Sequence, residues 1–168
     1  MTETSTMHAA ARKMEPQTVT VDSLLFGTVH VAPAAIFHFP DGLPGLEQER
    51  RFALMRTARE NLYLLQSMAV RELALFLIDP FAIHAAYELD LSVDEHETLK
   101  LDPAHPEQLL ALCVVTLPAG EQIPATANLR APLVFNLHEQ AAMQVVSRRE
   151  DYHLTTPVDL NALKRVDD

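Results

Sequence analysis

Almost every apolar stretch of this chain is the length of a strand and is closed within a few residues by proline, glycine or an acid. Proline withholds a ladder donor and glycine admits positive φ, so such punctuation cuts a chain into short strands joined by turns. Strand candidates follow in order at 18–21, 25–31, 35–39, 51–56, 61–67, 73–78 and 83–91, with Gly27 as a bulge or a point of close approach. The longest apolar run, 109–117, fits helix or strand by length alone, and Val114, Val115 and Thr116 leading into Pro118 favour a buried strand. The last two candidates are 126–137, where Pro132 demands an edge or a bulge, and 141–146. One helix is signalled, by Ser92 with Glu95 three residues on, and Pro103 and Pro106 keep it short. This pattern predicts an all-β, mostly antiparallel domain, a small barrel-like or sandwich fold with one short helix.

The sharpest punctuation lies between Ile36 and Glu47, which holds two of the chain's four glycines. Pro40, Asp41 and Gly42 supply a fixed φ, a side chain that can bond its own backbone, and a glycine; Pro44 and Gly45 repeat the signal. Two turns closed by Leu43 and Leu46 predict an ordered, packed corner.

A length of 168 residues suits a single domain, expected over 18–158 between a flexible N-terminal tail, 1–17, and a C-terminal tail, 159–168. No apolar run approaches the roughly 20 residues that cross a bilayer, and no secretory signal is recognisable, so a cytoplasmic protein without membrane contact is expected. Cys113 stands alone, which rules out an internal disulfide. With 23 acids against 13 bases the formal net charge is −10. Such a balance repels nucleic-acid phosphates and favours a basic protein partner.

Catalytic signals are sparse. The eight histidines show no close spacing of metal ligands, and His138-Glu139 is followed by Ala142 where a zinc-protease helix would carry its second histidine. His38, between Phe37 and Phe39, reads as an outer-face residue or one hydrogen-bonded in the core. Cys113 sits among apolar neighbours and reads as core filler. Neither a nucleophile elbow nor a phosphate-binding glycine loop is present. The alternative to a non-enzymatic protein is a small-molecule or metal-dependent enzyme with a pocket in the barrel mouth and His30, His38 or His84 as ligands. Otherwise neither cofactor nor metal is expected.

Charge is patterned more sharply than composition requires. Between Ala85 and Glu107 stand seven acids, Glu88, Asp90, Asp94, Glu95, Glu97, Asp102 and Glu107, against Lys100 alone. A solvated face is the ordinary explanation, and a docking surface for a basic partner is the alternative.

Four segments together resemble the FliW family of flagellar assembly factors. They are the corner with Phe39, Pro40, Gly42, Pro44 and Gly45; Leu65-Gln66-Ser67 followed by Leu75, Phe76, Asp79 and Pro80; Val115–Pro118 followed by 126–136 with Asn128 and Pro132; and Gln144–Val146 followed by Tyr152. Leu46 and Leu64 stand where that family carries large aromatics, a pair of changes that fits a shared packing compensation. The resemblance implies a barrel-like domain without catalytic activity, monomeric when free. It also implies binding to the translational regulator CsrA, relieving its repression of flagellin synthesis, and chaperone-like binding to flagellin in a partner switch. Candidate partner-binding residues are Leu46 and Glu47 in the corner and Glu88, Asp90, Asp94, Glu95 and Glu97 in the acidic run.

Overall fold

The computed structural model describes residues 16–166, so the part of the expected N-terminal tail before Pro16 lies outside the described residues. Among the described residues eleven strands form: β1 Val19–Ser23, β2 Gly27–Val31, β3 Ile36–His38, β4 Arg51–Arg56, β5 Leu62–Ser67, β6 Ala74–Ile78, β7 Leu109–Thr116, β8 Ala125–Ala127, β9 Leu133–Asn136, β10 Ala141–Gln144 and β11 Thr156–Val158. The one α-helix among the described residues, α1, spans Val93–Thr98. Antiparallel pairing runs β3-β4-β5-β6-β7, β7 pairs with β9 and β9 with β10, and β10 returns to β3 through a parallel bridge, Ala141 to His38. These seven strands close a barrel, the fold class that the punctuation predicts.

The inner face follows the period of two that strands impose. Phe37, Phe52, Leu65, Leu77, Leu112, Leu133, Phe135 and Ala142 fill the lumen, each at most 2% exposed. Phe135 meets the Phe37 ring edge-on at 5.0 Å between centroids, a preferred aromatic geometry. The closing seam is stitched by a side chain. Gln140, at φ +52°, donates from Nε2 to the carbonyls of Pro33 (2.7 Å) and Ile36 (2.8 Å), while its own carbonyl accepts from His38 N (2.8 Å). Gln140→Ala removes both side-chain bonds and is expected to cost about 1–3 kcal/mol in chemical denaturation.

Several elements cover the outside of the barrel. The β1–β2 hairpin lays Val19, Val21, Val29 and Val31 over Ile36, Ala53, Met55 and Leu64. Gly27, at φ +72°, opens β2 opposite Ser23 next to the hairpin turn, and the register from Val19–Val31 to Ser23–Gly27 runs without a bulge. Leu64 lies under the hairpin, whereas Leu46 packs against the luminal cluster. The shared packing compensation expected of these two leucines is therefore absent, because they occupy opposite faces of the barrel wall.

Residues 83–91 do not form a strand. Asp79 Oδ1 accepts from Phe81 N (2.9 Å) and starts a 3-10 turn at Pro80–Ala82, and a further turn follows in which Tyr87 N donates to His84 O (3.0 Å), so the chain stays in turns where the alternation predicts a strand. The segment instead lies on the wall, anchored by Tyr87. Along one edge of β7, β8 pairs with Val115 and Thr116 and β9 with Leu109–Leu112, while residues 128–132 face only Cys113 and Val114. This excursion is the bulge that Pro132 demands. Residues 159–166, expected as part of a tail, dock on the domain as far as they are described. Leu160 and Leu163 pack on the wall, Glu60 N donates to Lys164 O (2.8 Å), and Val166 N donates to Ala58 O (2.9 Å).

Candidate partner-binding surfaces

One surface forms where the double turn meets the barrel mouth. Phe39 is fully buried and touches Phe52 and Phe135 edge-on, at 5.2 and 6.0 Å. The chain then reverses through Gly42 N donating to Phe39 O (3.0 Å) and Leu46 N to Leu43 O (2.8 Å), with Gly42 at φ +66° and Gly45 at φ +83°. Leu43 is buried, Leu46 is half-buried, and both line a groove of about 260 Å³ of mixed character, with Leu75, Val114, Leu133 and Leu154 beside the polar Thr116, Asn128 and Gln144. Glu47 is exposed, and its carboxylate accepts from Gly45 N (2.9 Å). That backbone N–H holds the Glu47 pKa below the ordinary glutamate value. The contribution to stability is thus present at neutral pH and is lost on acidification through the folded pKa.

The other motif residues shape turns. Gln66 is buried, and its Nε2 donates to the carbonyls of Val70, Arg71 and Leu73. Ser67 Oγ accepts from Ala69 N and Val70 N and donates to Glu49 (3.1 Å). Asn128 Oδ1 accepts from Ala131 N (2.9 Å) and fixes the bulge before the buried Pro132. Asp79 and Pro80 set the turn after β6, as described above.

The second surface is the acidic run, which the fold gathers around α1. Ser92 Oγ accepts from Glu95 N (3.2 Å), so half of the capping box forms. Asn136 then fastens the far end of α1 to the barrel: its Nδ2 donates to Leu99 O (2.7 Å) and Lys100 O, and its Oδ1 accepts from His138 N and Glu139 N. Beneath the helix, buried Leu99, Val134 and Val145 carry an outer layer of half-buried Leu89, Leu91, Leu101 and Leu109. That layer floors a groove of about 310 Å³ walled by Pro103 and Pro106.

The acids of this run are not equivalent, and Asp102 is the one that lines the groove. Asp90, Asp94 and Glu97 are exposed, as are Asp102 and Glu107, which flank His105. Glu95 is half-buried, with one carboxylate oxygen shielded and unpartnered. Glu88 is exposed but ion-paired to Arg149, which also pairs with Asp151 (3.2 Å). The five acids singled out in the sequence therefore divide into three open ones, one tied down and one half-buried.

The aromatic clamp behind Glu88 has no signature in the spacing of the sequence. Tyr87 and Tyr152 stack at 4.7 Å, Arg149 lies over the Tyr152 ring, and His84 meets its edge. Tyr87 Oη donates to Leu129 O (2.8 Å), and Tyr152 Oη accepts from Glu88 N (2.8 Å). Tyr152→Phe leaves that N–H without its partner and is expected to cost about 1–2 kcal/mol in denaturant melts while loosening residues 87–91 in hydrogen exchange. Burial raises the Tyr87 pKa and pushes the Cys113 thiol up to about 12. Cys113 is fully buried and is held in the unreactive thiol form.

The candidate ligands His30, His38 and His84 sit on the β1–β2 hairpin, on β3 and against Tyr152, respectively. Among the described residues no three histidine, cysteine or acidic side chains gather as a metal site. No helix among them is long and apolar enough to cross a membrane. A further feature without a sequence motif is the tip of the β1–β2 hairpin, where Leu24, Leu25 and Phe26 are exposed together.

Comparison with known proteins places these surfaces in context. The family model described as "FliW protein" matches residues 20–158. The flagellar assembly factor FliW of Anoxybacillus flavithermus is 34% identical over 132 residues, covering 79% of this chain and 89% of that relative. Its namesake in Thermotoga maritima is 33% identical over 130 residues, covering 76% and 85%. A crystal structure of the flagellar assembly factor FliW superposes with a TM-score of 0.73 at 27% identity, covering 83% of this chain and 96% of that one.

Proposed function

This chain belongs to the FliW family, and from that premise we propose that it is a non-enzymatic flagellar assembly factor that works in the cytoplasm by exchanging protein partners. One partner is the basic translational regulator CsrA, whose repression of flagellin synthesis it relieves. The other is flagellin, which it holds as a chaperone and which draws it away from the regulator by mass action.

The observation that carries this reading is an exposed acidic run, with Asp90, Asp94 and Glu97 open to solvent and Asp102 lining an apolar groove, on a barrel whose lumen is filled by side chains. A filled lumen leaves recognition to the outer surfaces. Acids beside an apolar floor combine steering with an anchor, as protein interfaces do. Titration calorimetry at low salt tests the proposal. A saturable complex with CsrA that weakens as salt rises, and a separate complex with flagellin, are expected. Absence of heat with both partners contradicts it.

A further inference from the structure

We propose that the basic cluster where the C-terminal segment docks on the β4–β5 turn binds a carboxylate-rich segment of a protein partner. This surface has the opposite sign to the acidic run and does not depend on the partner exchange proposed above.

The fold assembles the cluster from two distant parts of the chain. Over 56–63 and 163–166 stand Arg56, Arg59, Lys164 and Arg165 against Glu60 alone. Glu60 N donating to Lys164 O and Val166 N donating to Ala58 O lay the second segment antiparallel along the first, and Arg59 and Arg165 become direct bridge partners. Side chains directly opposite in an antiparallel bridge share a face, about 5 Å apart at Cβ, and like charges there destabilise the pairing. Arg59 turns Nη1 to neutral groups, the carbonyls of Leu163 (2.9 Å) and Asn161 (3.5 Å), so its charge is not offset. Among the described residues none of the four cations is in an ion pair, whereas Arg149 holds both Glu88 and Asp151. An anion brought from outside relieves that repulsion.

Beside the bridge, Arg56, Arg59, Glu60, Asn61, Tyr63 and Val166 contribute to the lining of a recess of about 180 Å³. Arg56 and Tyr63 are paired residues of β4 and β5, so their side chains share a face. Arg56 is exposed and Arg59 half-buried. A guanidinium fork matches a carboxylate through two parallel N–H···O bonds, and two such forks meet here. The volume lies below the roughly 300 Å³ of small-ligand sites, so the recess suits one or two acidic side chains better than a cofactor.

Phosphates also suit such forks, and the rest of the molecule decides between the two. The formal net charge is −10. A nucleic acid is charged along its whole length and runs off a cluster of four bases onto a surface that repels it. A short carboxylate segment stays on the cluster, and at 0.1 M salt charges more than about 10 Å away are largely screened from it.

The test uses the full-length ¹⁵N-labelled chain and a fluorescein-labelled hexaglutamate peptide as probe, with hexaglutamine and an oligothymidylate of equal charge as controls. Saturable anisotropy with hexaglutamate that weakens as salt rises is expected, with amide shifts at 56–63 and 163–166 and none from hexaglutamine. The double variant Lys164→Gln, Arg165→Gln removes two exposed charges and should weaken hexaglutamate binding by about tenfold or more. Arg56→Gln, on a strand held by its backbone pairing, should weaken it by about threefold and serves should the double variant loosen the C-terminal segment. Arg71→Gln, at an exposed arginine of the β5–β6 turn, should leave binding unchanged. Full binding by both folded cluster variants, amide shifts centred elsewhere, or tighter binding of the oligothymidylate would overturn the inference. Because the probe is neither CsrA nor flagellin, loss of this site and failure of the partner-exchange reading are separate outcomes.

Discussion

Gly42→Ala is expected to lower the melting temperature on the order of 10 °C, while Gly45→Ala, three residues away in the same double turn, costs much less. Both glycines have positive φ, +66° and +83°. Forcing a side chain into the left-handed region costs about 1–2 kcal/mol at either position. At Gly42 a second cost is added, because a Cβ there would lie 2.6 Å from the Cα of Glu47 and 2.9 Å from its carbonyl oxygen. Those are backbone atoms held by the turn, so they cannot swing aside as the end of a side chain could. At Gly45 an added Cβ meets no atom within 4 Å. For a domain of this size each kcal/mol shifts the melting temperature by about 2–4 °C, so calorimetric scans of the two variants separate conformational strain from collision. Equal melting temperatures would mean that the corner is not packed as described. The consequence reaches the surface above it, since Leu43, Leu46 and the mouth groove are held in place by this reversal.

Neutralising the three open acids, in the variant Asp90→Asn, Asp94→Asn and Glu97→Gln, is expected to slow association with CsrA by about tenfold or more at low salt. The change should fall on the association rate and leave the melting temperature nearly unchanged, because exposed charges steer encounter more than they hold a fold. Glu88→Gln should change association far less, since Arg149 and Asp151 already engage that carboxylate's surroundings. Stopped-flow measurement across a salt series reads both effects. An unchanged rate in the triple variant would remove the acidic rim from the mechanism.

Much of the barrel was legible in the sequence because its determinants are local. Phe52 and Leu54, Tyr63 and Leu65, and Leu75 and Leu77 alternate at the strand period, and Pro132 marked the bulge between β8 and β9 before any pairing was known. The corner was legible for the same reason, since glycine and proline act on their own φ. What could not be read depends on partners distant in the chain. Residues 83–91 alternate as a strand does, yet Tyr87 is held by the Tyr152 ring and the Leu129 carbonyl, contacts with distant residues that no local window contains. The stacking of Tyr87 on Tyr152 and the stitching of the seam by Gln140 join residues far apart in sequence. The acidic run was visible as charge, but its division into open, paired and half-buried members required knowing where Arg149 lies. The groove among Leu89, Leu91, Leu101 and Leu109 was invisible, because each leucine taken alone reads as core.

Partner exchange is the central claim, and a competition experiment tests it most directly. A complex of this protein with fluorescently labelled CsrA is titrated with flagellin, and anisotropy follows the regulator. Flagellin should lower the anisotropy to that of free CsrA along a single competition curve whose midpoint rises with CsrA concentration. Anisotropy that stays constant or climbs as flagellin binds to the intact complex would contradict the exchange.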